Sequence, residues 1–138
     1  MHLQAEVTTQ VRIKNEKGEY LLLRLAEPGR KFHYPGGHVD ENENYQQAAE
    51  REVREETGLT IKCGEAFRVF QITWKDKPLI GLVCNATTIV NSSLSIKLSS
   101  EHDAYRWFSV QEIKTSADVD EHLLVDFSWS FTRKNRLS

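Results

Sequence analysis

The chain has 138 residues, enough for one domain that buries roughly two-thirds of the surface its unfolded form would expose. Its 18 basic and 20 acidic residues leave a net charge of -2, which gives no electrostatic reason to expect a protein that coats bulk nucleic acid or an anionic membrane surface. The only cysteines, Cys63 and Cys84, form no Cys-x-x-Cys pair, so a disulfide framework or thiolate zinc site has no support and two buried, reduced thiols are expected.

Met1 to Val7 lacks the charged and then apolar run of a secretory signal, and no apolar stretch is as long as a membrane span. A cytoplasmic location is expected. Ala5, Val7, Thr9, Val11 and Ile13 alternate with mostly polar neighbours, the two-residue period of a strand with one buried face. This strand either pairs across a dimer or lies at a sheet edge, and the chain is expected as a monomer or a homodimer. Asn15 to Gly18 forms a turn, and the nearly continuous apolar run Glu19 to Leu25 predicts a second strand, buried on both faces and paired with the first as a hairpin.

Ala26 to Phe32 is a loop marked by Pro28-Gly29, and Arg30 and Lys31 give it positive charge. Residue type favours a solvated loop tip, with phosphate contact as the functional alternative. Tyr34-Pro35-Gly36-Gly37 interrupts regular structure and leaves backbone carbonyls and amides accessible. A helix follows over Asn44 to Thr57, capped by Asp40 or Asn42 and stopped by Gly58. Tyr45, Ala48, Ala49 and Val53 are its apolar contacts, and its C-terminal half carries the acids.

Leu59 to Trp74 is rich in strand-forming residues, Lys75 to Pro78 makes a turn, and Leu79 to Val90 is a further strand. Asn91 to Ser93 breaks that run, a polar segment from Ser99 to Asp103 follows, and Ala104 to Ser109 is a short strand. Val110 to Lys114 makes a helical turn. Val119, Leu123, Phe127 and Phe131 form a helix stripe that covers the sheet, and Arg133, Lys134 and Arg136 make a solvated basic tail.

Three carboxylates crowd one face of the first helix, because Glu52, Glu55 and Glu56 stand at i, i+3 and i+4. Like charges at this spacing cost an isolated helix a few tenths of a kcal/mol per pair. Taken alone, such a turn is solvent-facing decoration. Beside an accessible glycine loop it becomes a site for a hard cation, which takes oxygen ligands from one or two carboxylates, water and substrate phosphates. A backbone carbonyl at Gly36-Gly37 can reach the same ion.

Gly37, then Glu43, then Arg51-Glu52-Val53-Arg54-Glu55-Glu56-Thr57-Gly58-Leu59 resembles the Nudix box, Gly-x5-Glu-x7-Arg-Glu-U-x-Glu-Glu-x-Gly-U with U aliphatic, at every fixed position. The resemblance covers 23 of the 138 residues. It implies an α/β (α+β) fold, an α/β/α sandwich around a mixed sheet, formed by one domain over residues 1 to 138. It also implies hydrolysis of the diphosphate linkage in a nucleoside diphosphate joined to a moiety X, with Mg²⁺ or Mn²⁺ as cofactor and a small nucleotide as partner.

By that resemblance Glu52, Glu55 and Glu56 are metal ligands with the Gly37 carbonyl, Arg51 orients the acids, and Glu43 supports them. Glu101 resembles the downstream acid that binds metal or serves as general base, with Glu52 as its rival and a plain loop carboxylate as the bland alternative. Arg24 and Arg30 are candidate phosphate contacts. Phe32, Tyr34, Phe70 and Trp74 are candidates for stacking on the base, although core packing is the commoner use of such aromatics. His33 and His38 flank the glycines and are weighed as solvent-facing or loop-supporting before proton transfer.

Markers of particular substrates are absent. Pro78 lies too far downstream for the ADP-ribose pattern, and no tyrosine stands where dinucleoside polyphosphate hydrolases carry one, Trp74 being the nearest large aromatic. A nucleoside triphosphate pyrophosphohydrolase releasing NMP and pyrophosphate is therefore expected. Hydrolysis of ADP-ribose or a nucleotide sugar is the alternative, and a non-catalytic nucleotide-sensing module on the same scaffold is the reading from another class.

Overall fold

The computed structural model describes residues 1–88 and 96–127. Strands β1 (Glu6–Lys14), β2 (Tyr20–Leu25) and the short β3 (Gly36–His38) precede helix α1 (Tyr45–Thr57). Then come β4 (Ile61–Trp74), β5 (Lys77–Thr88), β6 (His102–Phe108), helix α2 (Val110–Thr115) and a 3₁₀ turn over Glu121–Leu124. The strands form one mixed sheet in the order β4-β5-β1-β2-β6, with β3 also paired to β1.

Strand β1 lies inside the sheet, not at its edge. β5 runs parallel to it along its whole length, while β3 takes Thr8 to Gln10 on the other side and β2 only Lys14. The dimer or edge role expected for this strand therefore falls. The hairpin with β2 closes at one register pair because β3 already occupies the neighbouring edge.

Two apolar layers follow from alternation along β2. Leu21 and Leu23 join Val11, Ile13, Ala49, Val53, Leu59 and Ile61 under α1, whereas Leu22 joins Phe32, Val83, Phe108, Ile113, Leu123 and Phe127 on the opposite face. The continuous apolar run is thus buried on both sides, as the sheet's two helical covers require. This is the α/β/α sandwich around a mixed sheet.

Several local expectations shift. Asn44 itself caps α1, its side chain accepting from Gln47 N while Gln47 answers the Asn44 N–H, a reciprocal capping box. Asp40 and Asn42 do not cap it; Asn42 instead takes a left-handed turn conformation. The β4–β5 connection is only Lys75-Asp76, both at positive φ as a two-residue hairpin turn demands, so β5 begins at Lys77 and Pro78 pairs with Thr73.

Val119 does not begin a helix. It bridges Phe32, and the chain tightens into the 3₁₀ turn only at Glu121, where Asp120 accepts from His122 N. Val119, Leu123 and Phe127 are still buried as the stripe requires. Asn91 to Ser93, Phe131 and the basic residues 133, 134 and 136 lie outside the described residues.

One buried ionic link fastens this last segment to the sheet. Asp126 accepts from Arg68 at 2.5 and 3.0 Å and from the Tyr34 hydroxyl at 2.8 Å, while Arg12 donates to its backbone carbonyl. The Asp126 side chain is only 1% exposed. Removing its charge with Asp126→Asn strips the counter-ion from Arg68, a loss of about 3 kcal/mol for a buried pair. Urea unfolding should show the midpoint falling at an unchanged m-value; an unmoved midpoint would refute the link's contribution.

Candidate active site

The cleft starts from the backbone at Gly36-Gly37. Gly36 has φ of 152°, and a Cβ there would lie 2.0 Å from the Thr9 carbonyl oxygen, so only glycine lets β3 sit this close to β1. Its N–H donates to Glu56 Oε1 at 2.9 Å. A Cβ on Gly37 would fall 2.5 to 2.7 Å from the carboxyl atoms of Glu52. Gly37 therefore makes room for Glu52, while Gly36 lets the backbone approach β1 and offers its N–H to Glu56.

Arg51 organises the exposed side of the same helix. It donates to Glu43 Oε1 at 2.7 Å and Oε2 at 3.1 Å, to Glu52 Oε1 at 3.0 Å, to both Glu55 oxygens at 3.3 to 3.4 Å, and to the His38 carbonyl at 3.0 Å. Asp40 lies 3.3 Å away as a further counter-ion. The bonds to Glu43 come first in raising the Arg51 pKa, and they hold the Glu43 carboxyl below its usual range.

The wall opposite α1 is the turn from Ser99 to His102. Ser99 N donates to the Glu56 carbonyl at 3.1 Å, and Ala26 N to the Glu101 carbonyl at 2.9 Å, which pins the turn between α1 and the end of β2. Gly36, Gly37, His38, Glu52, Glu55, Glu56, Ser99 and Glu101 together line a cavity of about 330 Å³. Glu101, 45 residues from Glu56 in sequence, is thus brought to the helix acids.

Burial and mutual repulsion set the electrostatics. Glu56 is 8% exposed, and burial, helped by the charges of Glu52, Glu101 and Glu55, pushes its carboxyl up to about 8 against the pull of the Gly36 N–H. Burial also raises Glu52, opposed by Arg51.

Among the described residues, no three His, Cys, Asp or Glu side chains are already gathered into a group that could hold a metal ion. The donor set nevertheless fits a hard divalent cation. Every side-chain donor offered by the four glutamates and Ser99 is oxygen, and a raised Glu56 is the mark of a carboxylate short of positive charge. An ion that keeps most of its waters needs no closed cage.

Other candidates lie elsewhere. Tyr34 is 2% exposed and its hydroxyl is spent on Asp126, so it is a core residue and not a surface for a base. Arg24 pairs with Asp103 at 2.9 Å, and Arg30 with Glu27 at 2.8 Å; neither lines the cavity. Trp74 stands beside the cleft residue His38, ring centroids 5.6 Å apart. His38, weighed above beside the glycines, lines the cavity, and so does Ser99, which the sequence does not single out because one serine in a polar loop carries no spacing signal.

With this geometry in place, known proteins sharpen the identity. The family model described as NUDIX domain matches residues 5–127. The chain belongs to the Nudix family. A bis(5′-nucleosyl)-tetraphosphatase [asymmetrical] of Mus musculus is 34% identical over 114 residues, 80% of this chain and 77% of the relative. The crystal structure of a MutT protein from Methanosarcina mazei Go1 is 31% identical, covers 98% of each chain and superposes with a TM-score of 0.76. A C. elegans Ap4A hydrolase binary complex is 26% identical, covers 94% of this chain and 99% of the other, with a TM-score of 0.74.

This Nudix chain is therefore a pyrophosphohydrolase, a class that acts on small nucleotide substrates and uses divalent metal ions. No described helix is long and apolar enough to cross a membrane.

The raised Glu56 has a pH consequence of definite sign. Between the ordinary value near 4.5 and about 8, the folded chain keeps a proton there that the unfolded chain has released. Its contribution to stability therefore falls as pH rises through that window, by at most about 1.4 kcal/mol per unit. In chelator, the Tm difference between Glu56→Gln and the wild type should grow in favour of the variant from pH 5 to pH 8. Divalent ions should close that difference; a pH-independent difference would show that Glu56 is not strained by its charge.

Proposed function

We propose that this Nudix hydrolase cleaves nucleoside polyphosphates with Mg²⁺, or Mn²⁺ in its place, and that a dinucleoside tetraphosphate, split asymmetrically, is its leading substrate. The observation that carries the chemistry is the convergence of Glu52, Glu55, Glu56 and Glu101 on one cavity whose most buried acid is displaced to about 8. The relatives named bis(5′-nucleosyl)-tetraphosphatase, from mouse, rat, pig and C. elegans, support the substrate. They outweigh the missing tyrosine marker, which is one side chain against similarity over 73 to 80% of the chain.

Glu52, Glu55 and Glu56, with the Gly37 carbonyl, would hold the ion. When bound it supplies positive charge against the diphosphate oxygens. Arg51 fixes Glu52 through Oε1 and leaves Oε2 for the cleft. The N–H of Gly36 fixes Glu56 through Oε1 in the same manner. Glu43 holds Arg51 from outside and touches nothing in the cavity.

Glu101 faces these acids from a different segment, so it is placed to accept a proton from the attacking water while the helix acids serve the ion; Glu52 is its rival. Trp74 is the substrate-contact candidate that remains beside the cleft, and we assign it to the nucleoside end.

A nucleoside triphosphate, giving NMP and pyrophosphate, is the second reading. A cavity of about 330 Å³ takes a phosphate chain and makes no demand for a second nucleoside.

Incubation with dinucleoside tetraphosphate, nucleoside triphosphates, ADP-ribose and nucleotide sugars, with and without Mg²⁺, separates these readings. The expected result is metal-dependent release of a nucleoside triphosphate and a monophosphate from the dinucleotide, at the highest kcat/KM of the panel. No turnover of any compound would leave a binding module. Glu101→Gln should lower kcat by about 10²- to 10⁴-fold if it is the base. Full activity in that variant, with a loss of this size in Glu52→Gln, would move the role to Glu52.

A further inference from the structure

The turn that carries Glu101 is closed by a histidine that is not among the residues lining the cavity. His102 is 6% exposed, its N–H donates to the Ser99 carbonyl at 3.2 Å, and its Nδ1 lies 3.3 Å from Ser99 Oγ. The backbone and the ring of His102 thus both grip Ser99, the first residue of the turn, and Glu101 lies between the two in sequence. On its other side the ring meets His33, centroids 5.9 Å apart.

His33 lies in the segment that leads into the site's glycines. Its backbone exchanges both hydrogen bonds with Leu23 at 2.8 Å, and its Nδ1 bonds the Tyr34 carbonyl at 2.7 Å, directly before Pro35-Gly36-Gly37. The His33–His102 contact is therefore the joint between the glycine segment and the Glu101 turn. Packing alone does not explain two imidazoles here. Both Nε2 atoms are buried without a protein partner, an arrangement an apolar side chain would relieve. Each ring has a partner only at Nδ1, the Tyr34 carbonyl for His33 and Ser99 Oγ for His102.

We propose that His102 is a positioning residue for the hydrolysis reaction: through Ser99 and the contact with His33 it sets the Glu101 carboxylate at its distance from the acids of α1. The proposal deepens the assignment of Glu101 and rests on it. His102 touches no substrate, so its effect passes through the geometry of the turn. Asparagine can reproduce the bond to Ser99 from a position close to Nδ1; leucine fills the volume and cannot.

The test compares His102→Leu, His102→Asn, Glu101→Gln and the double variant Glu101→Gln/His102→Leu. His102→Leu should lower kcat about tenfold or more at an unchanged KM, with Tm held or raised, and amide exchange should rise over residues 99–102 but not in α1. His102→Asn should recover most of the rate. The double variant should be no slower than Glu101→Gln alone, because the two side chains act as one unit.

Wild-type kcat in a folded His102→Leu would overturn the positioning role while leaving Glu101 in place, provided Glu101→Gln is inactive. If Glu101→Gln is itself fully active, the assignment of Glu101 falls and the proposal with it. Should His102→Leu fail to fold, His102→Asn against His102→Gln decides: asparagine no faster than glutamine overturns the proposal.

Discussion

The site depends on one constraint, the mutual repulsion of the carboxylates that line one cavity. Two devices of opposite kind hold them. On the outer side of α1 the Arg51 guanidinium spends all its donors on Glu43, Glu52, Glu55 and the His38 carbonyl. On the buried side the Gly36 N–H is the hydrogen bond the structure gives to the Glu56 carboxylate, and it does not offset burial, so Glu56 stays high. Arg51 is part-exposed at 24%, where water screens its pull. The structure thus neutralises the acids at the rim and leaves the buried one short of positive charge, which is the asymmetry a divalent ion answers.

Much of this was legible from spacing. The acids at i, i+3 and i+4, the glycines before the helix and the stop at Gly58 are local facts, and local facts survive folding: α1 begins at Tyr45 and Gly58 takes the left-handed conformation at its end. The cap was misplaced by a few residues because Asp40, Asn42 and Asn44 are all competent acceptors, and only the answering Gln47 singles out Asn44.

Partners distant in sequence were not legible. Arg24, Arg30 and Tyr34 share the chemistry of substrate-binding residues, yet Asp103, Glu27 and Asp126 take them. Nothing in the sequence pairs residue 34 with residue 126. The interior place of β1 was hidden for a similar reason: alternation reports one buried face and is silent about how many neighbours a strand has. The parallel pairing with β5 comes from a crossover through α1 and β4, which periodicity does not encode.

The walls of the cleft are set by backbone, not by side-chain packing. Val11 N holds the Pro35 carbonyl, Ser99 N the Glu56 carbonyl, and Ala26 N the Glu101 carbonyl, each at 2.9 to 3.1 Å. Three segments far apart in the chain are therefore fixed relative to one another before any acid is charged. What stays adjustable is the rotamers of the exposed acids, Glu55 and Glu101, a motion that costs little compared with moving a strand. That division explains why the carboxylates line one cavity without forming a ready cage. On the proposed reading, rotation of side chains on a rigid frame would bring them to a cation. By the same division, changes at Gly36, where a Cβ meets the Thr9 backbone, act on the frame, whereas changes at Glu52 or Glu101 act on the lining of the cavity.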